Sequence, residues 1–346
     1  PIDIIISDLE MPGMDGMEFM RHIGEANIPV SVIISSALDR SLIASVETMT
    51  RAFGITLLGA IEKPVTPGKL RALIDGYTPP ERKTTAPAAP AIALEEIRRG
   101  LDAGEFEPFF QPKVSLGDGG VVGGEALARW RHPQKGVLAP YAFITQMENN
   151  GLIDRLTWTI LERATASCRE WLSRGLQAAV SVNLSLKSLG NPGLAERIAA
   201  RVAEQNLAAK DVVLEITESA AMTDVAKALE NLTRLRMKGF GLSIDDYGTG
   251  YSSMQQLSRI PFTELKIDQS FVFSALEKES SRVILASSLD MAKKLKLTSV
   301  AEGVETRAHW NLLQGLGCDT AQGYFVAKPM EAAAFQQWAL NWRPPE

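Results

Sequence analysis

Val121–Trp130 reads VVGGEALARW. The run is apolar and glycine-rich at its start, carries an acid in its middle and ends in an aromatic. Successive side chains of a strand point to opposite faces. Glu125, Leu127 and Arg129 therefore share one face, and Ala126 and Ala128 the other. An acid facing into a packed interior is costly unless it is paired or holds a cation. The same signal recurs along the chain. Strand patterns at Glu107–Val114, Ala178–Ser185, Val212–Thr217, Gly241–Asp246, Glu264–Asp268, Thr298–Glu302 and a short Ala321–Phe325 also carry polar or charged residues on one face. Gln111 and Lys113 share a face, as do Lys266 and Asp268.

Helical patterns at Leu152–Arg174, Leu194–Gln205, Val225–Lys238 and Ser281–Lys294 separate most of these strands. The first two strands are joined by a turn at Gly117–Gly120, so the first is expected to run against the others. Eight strands with this rhythm predict an α/β fold, a (β/α)8 TIM-like barrel with an antiparallel first strand. In such a barrel, residues at the strand C-termini converge on one mouth. Glu125, Glu215, Asp245, Asp246 and Glu302 all sit there. Converging carboxylates repel one another unless positive charge intervenes. Hard divalent cations, Mg²⁺ or Mn²⁺, suit an all-oxygen donor set. The pattern predicts a metal-dependent enzyme for an anionic substrate, a phosphodiester above all.

The rest of the composition limits the alternatives. A formal charge of −5 over 346 residues argues against a general nucleic-acid binder. The three histidines, His22, His132 and His309, are too scattered for a zinc motif. Cys168 and Cys318 lie in helical or apolar surroundings and read as two buried thiols, with the cytoplasm as the expected compartment. No apolar run approaches the roughly 20 residues of a membrane span. No signal peptide is evident. The chain opens without Met and in mid-strand, so upstream sequence is expected.

The stretch from Thr78 to Ala91, TPPERKTTAPAAPA, reads as a proline-stiffened linker. Before it, strand-like runs at Ile2–Ser7, Val30–Ser35 and Thr56–Ile61 alternate with helical patterns, as in a parallel α/β unit. The predicted organisation is thus residues 1–77, a linker over 78–91 and a barrel over 92–346.

With these motifs in order, the C-terminal region resembles the EAL-domain cyclic-di-GMP phosphodiesterases. FQPKV (Phe110–Val114), GGEALARW around Glu125-Ala126-Leu127, SVNLS (Ser181–Ser185), LEITES (Leu214–Ser219), IDDYGTGYSS (Ile244–Ser253), ELKID (Glu264–Asp268), AEGVE (Ala301–Glu305) and AQGYFVAKP (Ala321–Pro329) carry the resemblance, over about residues 92–340. It implies hydrolysis of cyclic di-GMP to linear pGpG with two Mg²⁺ or Mn²⁺ ions. Glu125, Asn183, Glu215 and Asp245 match the first metal site; Asp245 bridges to a second completed by Asp246 and Glu302. Lys266 matches the residue that activates the attacking water. Gln111, Leu127, Arg129, Asp268, Glu305 and Gln322 match substrate-binding positions. Glu218 matches the glutamate that holds the loop after Asp246. Taken singly, Asn183 reads as a capping or turn residue, Lys266 as solvated or paired with Asp268, and Glu218 as a surface charge. A catalytically silent cyclic-di-GMP receptor or protein-interaction module is the competing class, and a receptor of that kind would be expected to lack metal ligands.

The N-terminal DLEMPGMDG (Asp8–Gly16) resembles the phospho-acceptor segment of response-regulator receivers, a flavodoxin-like fold present here in part. The resemblance implies phosphorylation of Asp8, with Ser36 and Lys63 in support and Pro64 in the cis form. It implies a sensor histidine kinase as partner and homodimers or higher homo-oligomers. An acidic pair for Mg²⁺ is missing before Pro1, and Ala60 stands where many receivers carry an aromatic.

Overall fold

The computed structural model describes residues 2–9, 11, 13–26, 28, 30–36, 46, 49–50, 53, 55–75, 77, 92–217, 225–248 and 260–345. The chain forms two compact units, Pro1–Ala91 and Ile92–Glu346. The stretch read as a linker lies outside the described residues.

In the first unit, β1 (Ile4–Asp8), β2 (Ser31–Ser36) and β3 (Thr56–Glu62) form a parallel sheet in that order. Their β-branched, two-face-apolar sequences suit strands covered by helices. Helix α1 (Gly16–Glu25) is capped by Asp15, whose Oδ1 accepts from the Glu18 amide at 2.8 Å. Met20 and Ile23 of α1 pack with Val32 and Ile34 in the core of this unit. Glycine is required at the start of α1, because a Cβ at Gly16 would lie 2.3 Å from the Asp8 carbonyl oxygen. Helix α2 (Pro67–Asp75) follows β3, and the Lys63–Pro64 bond is cis.

In the second unit a helix, α3 (Leu94–Asp102), precedes the barrel. Its eight strands are β4 (Phe106–Ser115), β5 (Val121–His132), β7 (Ala179–Asn183), β8 (Val212–Thr217), β9 (Gly241–Tyr247), β10 (Glu264–Ile267), β11 (Thr298–Ala301) and β12 (Thr320–Gln322). A short β6 (Gly136–Leu138), not anticipated from sequence, folds back on the end of β5. Pairing runs β4-β12-β11-β10-β9-β8-β7-β5 and closes through β4–β5. Strand β4 is antiparallel to both neighbours, and the remaining barrel pairs are parallel. The start of β4 therefore lies beside the far end of β5, with Phe106 opposite Trp130. Closure removes the exposed sheet edges of an open array.

The outer faces of the strands and the surrounding helices share one core. Phe106 stacks on Trp130 with centroids 4.8 Å apart, and Trp171 of α5 (Ile153–Ser173) meets Phe110 edge-on at 4.7 Å. Trp171 also packs on Phe335 of the last helix, Ala332–Asn341. Trp130 and Trp171 thus serve as packing groups of this core, and Trp158 carries Arg197 over its ring at 4.4 Å. His132 serves the turn that follows β5. Its Nδ1 accepts from the amides of Gln134 and Lys135, and its other nitrogen meets Glu96 of α3 at 2.7 Å. At the opposite end of the barrel, Trp342 donates to the carbonyl of Gly119 at 2.9 Å, in the turn between β4 and β5. Cys168 and Cys318 are free, buried thiols. Among the described residues no helix is long and apolar enough to cross a membrane.

Candidate active site

Period-two alternation on five strands delivers five polar side chains to the mouth. Gln111 comes from β4, Glu125 from β5, Asn183 from β7, Glu215 from β8 and Asp245 from β9, with Gln111 in register with Glu125 and Asn183 with Glu215. Lys266 of β10 points into their midst and is fully buried. Its Nζ lies 3.2 Å from Glu125 Oε2, 2.8 Å from Glu215 Oε2, 2.9 Å from Asp245 Oδ1 and 2.7 Å from Glu302 Oε1. The sequence placed Asp268 beside it. The structure instead turns Asp268 to cap α9 (Gln269–Ser274), accepting from the Ser270 amide at 3.0 Å.

Two consecutive aspartates cannot both face the mouth from a regular strand. A bulge resolves this. The register between β9 and β10 shifts between Leu265 and Ile267, and Asp246 adopts a left-handed backbone with φ 55°. Aspartate tolerates that region better than most residues, and a bulge re-aims side chains near sites. Oxygens of Asp245, Asp246 and Glu302 consequently lie within 4.8 Å of one another. An all-carboxylate triad at that spacing fits a hard divalent cation.

The electrostatics show the strain of crowding. Burial and the nearby Glu215 charge raise the pKa of Glu125. Burial raises that of Glu302 to about 8, with Asp245 adding to the effect. Burial and Asp245 raise that of Asp246. Glu215 goes the other way: burial opposes ionisation, yet the charges of Lys113 and Lys266 hold it down to about 2. Burial also works against charge on Lys266, but Glu125, Glu215, Glu302 and Asp245 keep it protonated well above the ordinary lysine range.

Amides fill the gaps between the acids. Asn183 Nδ2 donates to Glu125 Oε1 at 3.1 Å, and Gln322 Nε2 donates to Glu125 Oε2 at 2.6 Å and to Gln111 Oε1 at 3.2 Å. Gln322 Oε1 is buried without a hydrogen-bond partner, leaving an acceptor at the mouth. Leu127 and Arg129 continue the Glu125 face outward; the Arg129 guanidinium lies 5.8 Å from the Phe109 ring. Glu305 is exposed, its amide donating to His309 Nδ1 at 3.4 Å. Glu218 and residues 249–259, the loop it was expected to hold, lie outside the described residues. Lys113 was not singled out as a site residue, although its spacing from Gln111 placed it on the inner face. It is 3 % exposed and touches Glu215 at 2.7 Å.

In the first unit, Asp8 ends β1 and is ion-paired with the Lys63 ammonium. Ser36 ends β2, in register with Glu62, and its side chain lies outside the described set.

A closed α/β barrel whose mouth gathers carboxylates around a buried lysine offers a donor set that a divalent cation could use. Residues 94–329 match the EAL domain family and residues 1–75 the response regulator receiver domain. The chain belongs to the EAL-domain family and carries a receiver segment before its barrel. It is 38% identical over 338 residues to the cyclic di-GMP phosphodiesterase RocR of Pseudomonas aeruginosa, covering 96% of this chain and 86% of RocR. It is 37% identical over 240 residues to the bifunctional diguanylate cyclase/cyclic di-GMP phosphodiesterase MucR of the same organism, covering 69% of this chain but only 35% of MucR. Among solved structures, the MucR phosphodiesterase in complex with c-di-GMP superposes with a TM-score of 0.67 at 37% identity, covering 70% of this chain and 98% of that one. The EAL enzyme Bd1971, with cAMP and cyclic-di-GMP bound, gives 0.69 at 27% identity, covering 88% of this chain and 77% of the other.

Proposed function

We propose that this chain is a response regulator whose barrel hydrolyses cyclic di-GMP to linear pGpG. The observation that carries the reading is the mouth: Glu125, Glu215, Asp245 and Glu302 gathered around Lys266. RocR, a relative over 96% of this chain, is named a cyclic di-GMP phosphodiesterase, and MucR a bifunctional diguanylate cyclase/cyclic di-GMP phosphodiesterase. Glu125, Asn183, Glu215 and Asp245 would hold one Mg²⁺ or Mn²⁺, and Asp245, Asp246 and Glu302 a second. Such ions, when bound, supply Lewis-acid polarisation of the phosphodiester and activation of the attacking water.

The chain's own groups do the rest. Lys266 is a fixed, fully buried positive charge; with the ions taking over the carboxylates it now contacts, it would orient the water and offset charge that develops on the phosphoryl oxygens. Gln111 and Gln322 offer amide donors and acceptors at the mouth, and Arg129 a cation on its rim for phosphate or guanine oxygens. Leu127 and the chain around Glu305 and Asp268 shape the walls. Water attacks phosphorus in line, the P–O3′ bond breaks, and the ring opens to a 5′-phosphate and a free 3′-hydroxyl. In the receiver segment, Asp8 is the acceptor for a phosphoryl group from a sensor histidine kinase, and Lys63 pairs with the product.

The test is chromatography of products after incubation with cyclic di-GMP and Mg²⁺ or Mn²⁺. Formation of pGpG is expected. Tight binding without product would make the chain a receptor and overturn the enzyme reading.

A further inference from the structure

A second buried ammonium lies beneath the mouth. Lys113 is on β4, two residues from Gln111, so it shares the inner face one layer deeper. Its Nζ donates to Ser181 Oγ at 2.8 Å, Glu215 Oε1 at 2.7 Å and Glu264 Oε1 at 3.0 Å. An ammonium has three N–H donors, and these acceptors use all of them. Glu215 is gripped from both sides: Oε1 by Lys113 and Oε2 by Lys266, which sits 2.8 Å away. Glu215 itself has no exposed surface.

A charge this deep is costly, and an apolar side chain of like volume would fill the barrel floor at least as well. Glu264 supplies the balancing negative charge from β10. The Lys113–Glu264 pair thus adds no net charge to the mouth. What it adds is direction: an anchored ammonium that fixes the side-chain rotamer of Glu215. Without it Oε1 loses its anchor, and the carboxylate is held by Lys266 at Oε2 alone, about which it can turn.

We propose that Lys113 is a positioning residue that holds Glu215 in the orientation a divalent ion requires. The inference rests on the two-metal reading of the mouth. The experiment is calorimetric titration of the full chain with Mn²⁺, comparing wild type with the double variant Lys113→Met/Glu264→Gln. The double variant removes one charge of each sign and keeps the net charge; of the two, Lys113 is the one that touches Glu215, so the loss of its positive charge alone would strengthen Mn²⁺ binding and cannot imitate the loss of anchoring. Mn²⁺ binding is expected to weaken about tenfold or more, in line with the loss of other groups that orient metal ligands. At saturating Mn²⁺, KM for cyclic di-GMP should stay within about twofold while kcat falls. Unchanged Mn²⁺ affinity in the folded double variant overturns the proposal. Should that variant not fold, as judged by circular dichroism, Ser181→Ala decides. It removes one acceptor of Nζ without stranding a charge and should weaken Mn²⁺ binding about two- to threefold, and an unchanged affinity there is equally fatal. No Mn²⁺ uptake by the wild-type chain would sink the two-metal reading, and this inference with it.

Discussion

At the scale of single residues, the mouth is a balance of charges. Glu125→Gln keeps the shape of the side chain but removes its charge and turns one of its two acceptor oxygens into a donor, so that either the bond from Asn183 or those from Gln322 and Lys266 are lost. Turnover should drop at least about a hundredfold while the melting temperature changes little, because crowding by Glu215 already raises the cost of ionising Glu125. A product assay alongside thermal unfolding checks both halves. Lys266→Met leaves Glu125, Glu215, Asp245 and Glu302 without the ammonium they share. Breaking a buried ion pair from one side costs about 3–5 kcal/mol. The variant should therefore melt far below wild type in EDTA, and Mn²⁺ should recover much of the difference. Equal melting of the two proteins in EDTA would show that the lysine is not the main counter-charge. The thiols give a pH test. Burial raises Cys168 to about 12 and Cys318 to about 11, against 9.0 for a free thiol. The unfolded chain then releases thiol protons at lower pH than the folded one, so stability should fall as pH rises from about 9 towards 11. Urea titrations at pH 8.5 and 10.5, on wild type and a Cys168→Ala/Cys318→Ala variant, check the sign; an equal decline in both would assign it to other groups.

Secondary elements show what alternation can and cannot convey. Glu125, Glu215 and Lys266 are legible because each lies on a regular strand, where a charged residue among apolar ones marks the inner face; Asn183, uncharged and singly a turn residue, is reached only through resemblance. The Asp245–Asp246 pair is placed at the mouth by its position at a strand end, and resemblance adds only its division between two metal sites. Its geometry depends on a bulge set by the pairing of β9 with β10, which no local pattern encodes. Lys266 and Asp268 share a face by spacing, yet the strand ends at Ile267 and Asp268 turns to cap a helix, so their pairing did not form. Spacing puts Lys113 on the inner face beside Gln111, but its pairing with Glu264 is not legible, because the two lie 151 residues apart in sequence. Close backbone approach was likewise invisible. A Cβ on Gly323 would lie 2.2 Å from the amide nitrogen and carbonyl oxygen of Val304. Gly323→Ala should destabilise the barrel by about 2 kcal/mol or more and disturb the neighbouring Gln322. Urea unfolding and the KM for cyclic di-GMP are the measurements; a stability within about 0.5 kcal/mol of wild type would show that the two loops yield readily.

Across the whole molecule, the barrel closes on itself and owns its core. Residues 92–346 expressed alone should fold cooperatively and hydrolyse cyclic di-GMP, since every described mouth residue lies within that unit. Excess EDTA should abolish turnover in both the fragment and the full chain, and Mg²⁺ or Mn²⁺ should restore it. An inactive but folded fragment would mean that the receiver segment contributes to catalysis itself.

The reversed first strand has a consequence for how such a barrel can be wired to other modules. In an all-parallel barrel the chain enters on the side away from the catalytic rim. Here β4 runs backwards, so its first residue stands beside the end of β5, and α3 is latched to that rim through Glu96 and His132. The chain leaves at the other pole, where Trp342 is fastened to the Gly119 turn. A tug or twist arriving from upstream is thus delivered next to the substrate's doorway, whereas anything appended downstream pulls on the blind end. Input and cargo can be attached to one barrel without competing for the same pole.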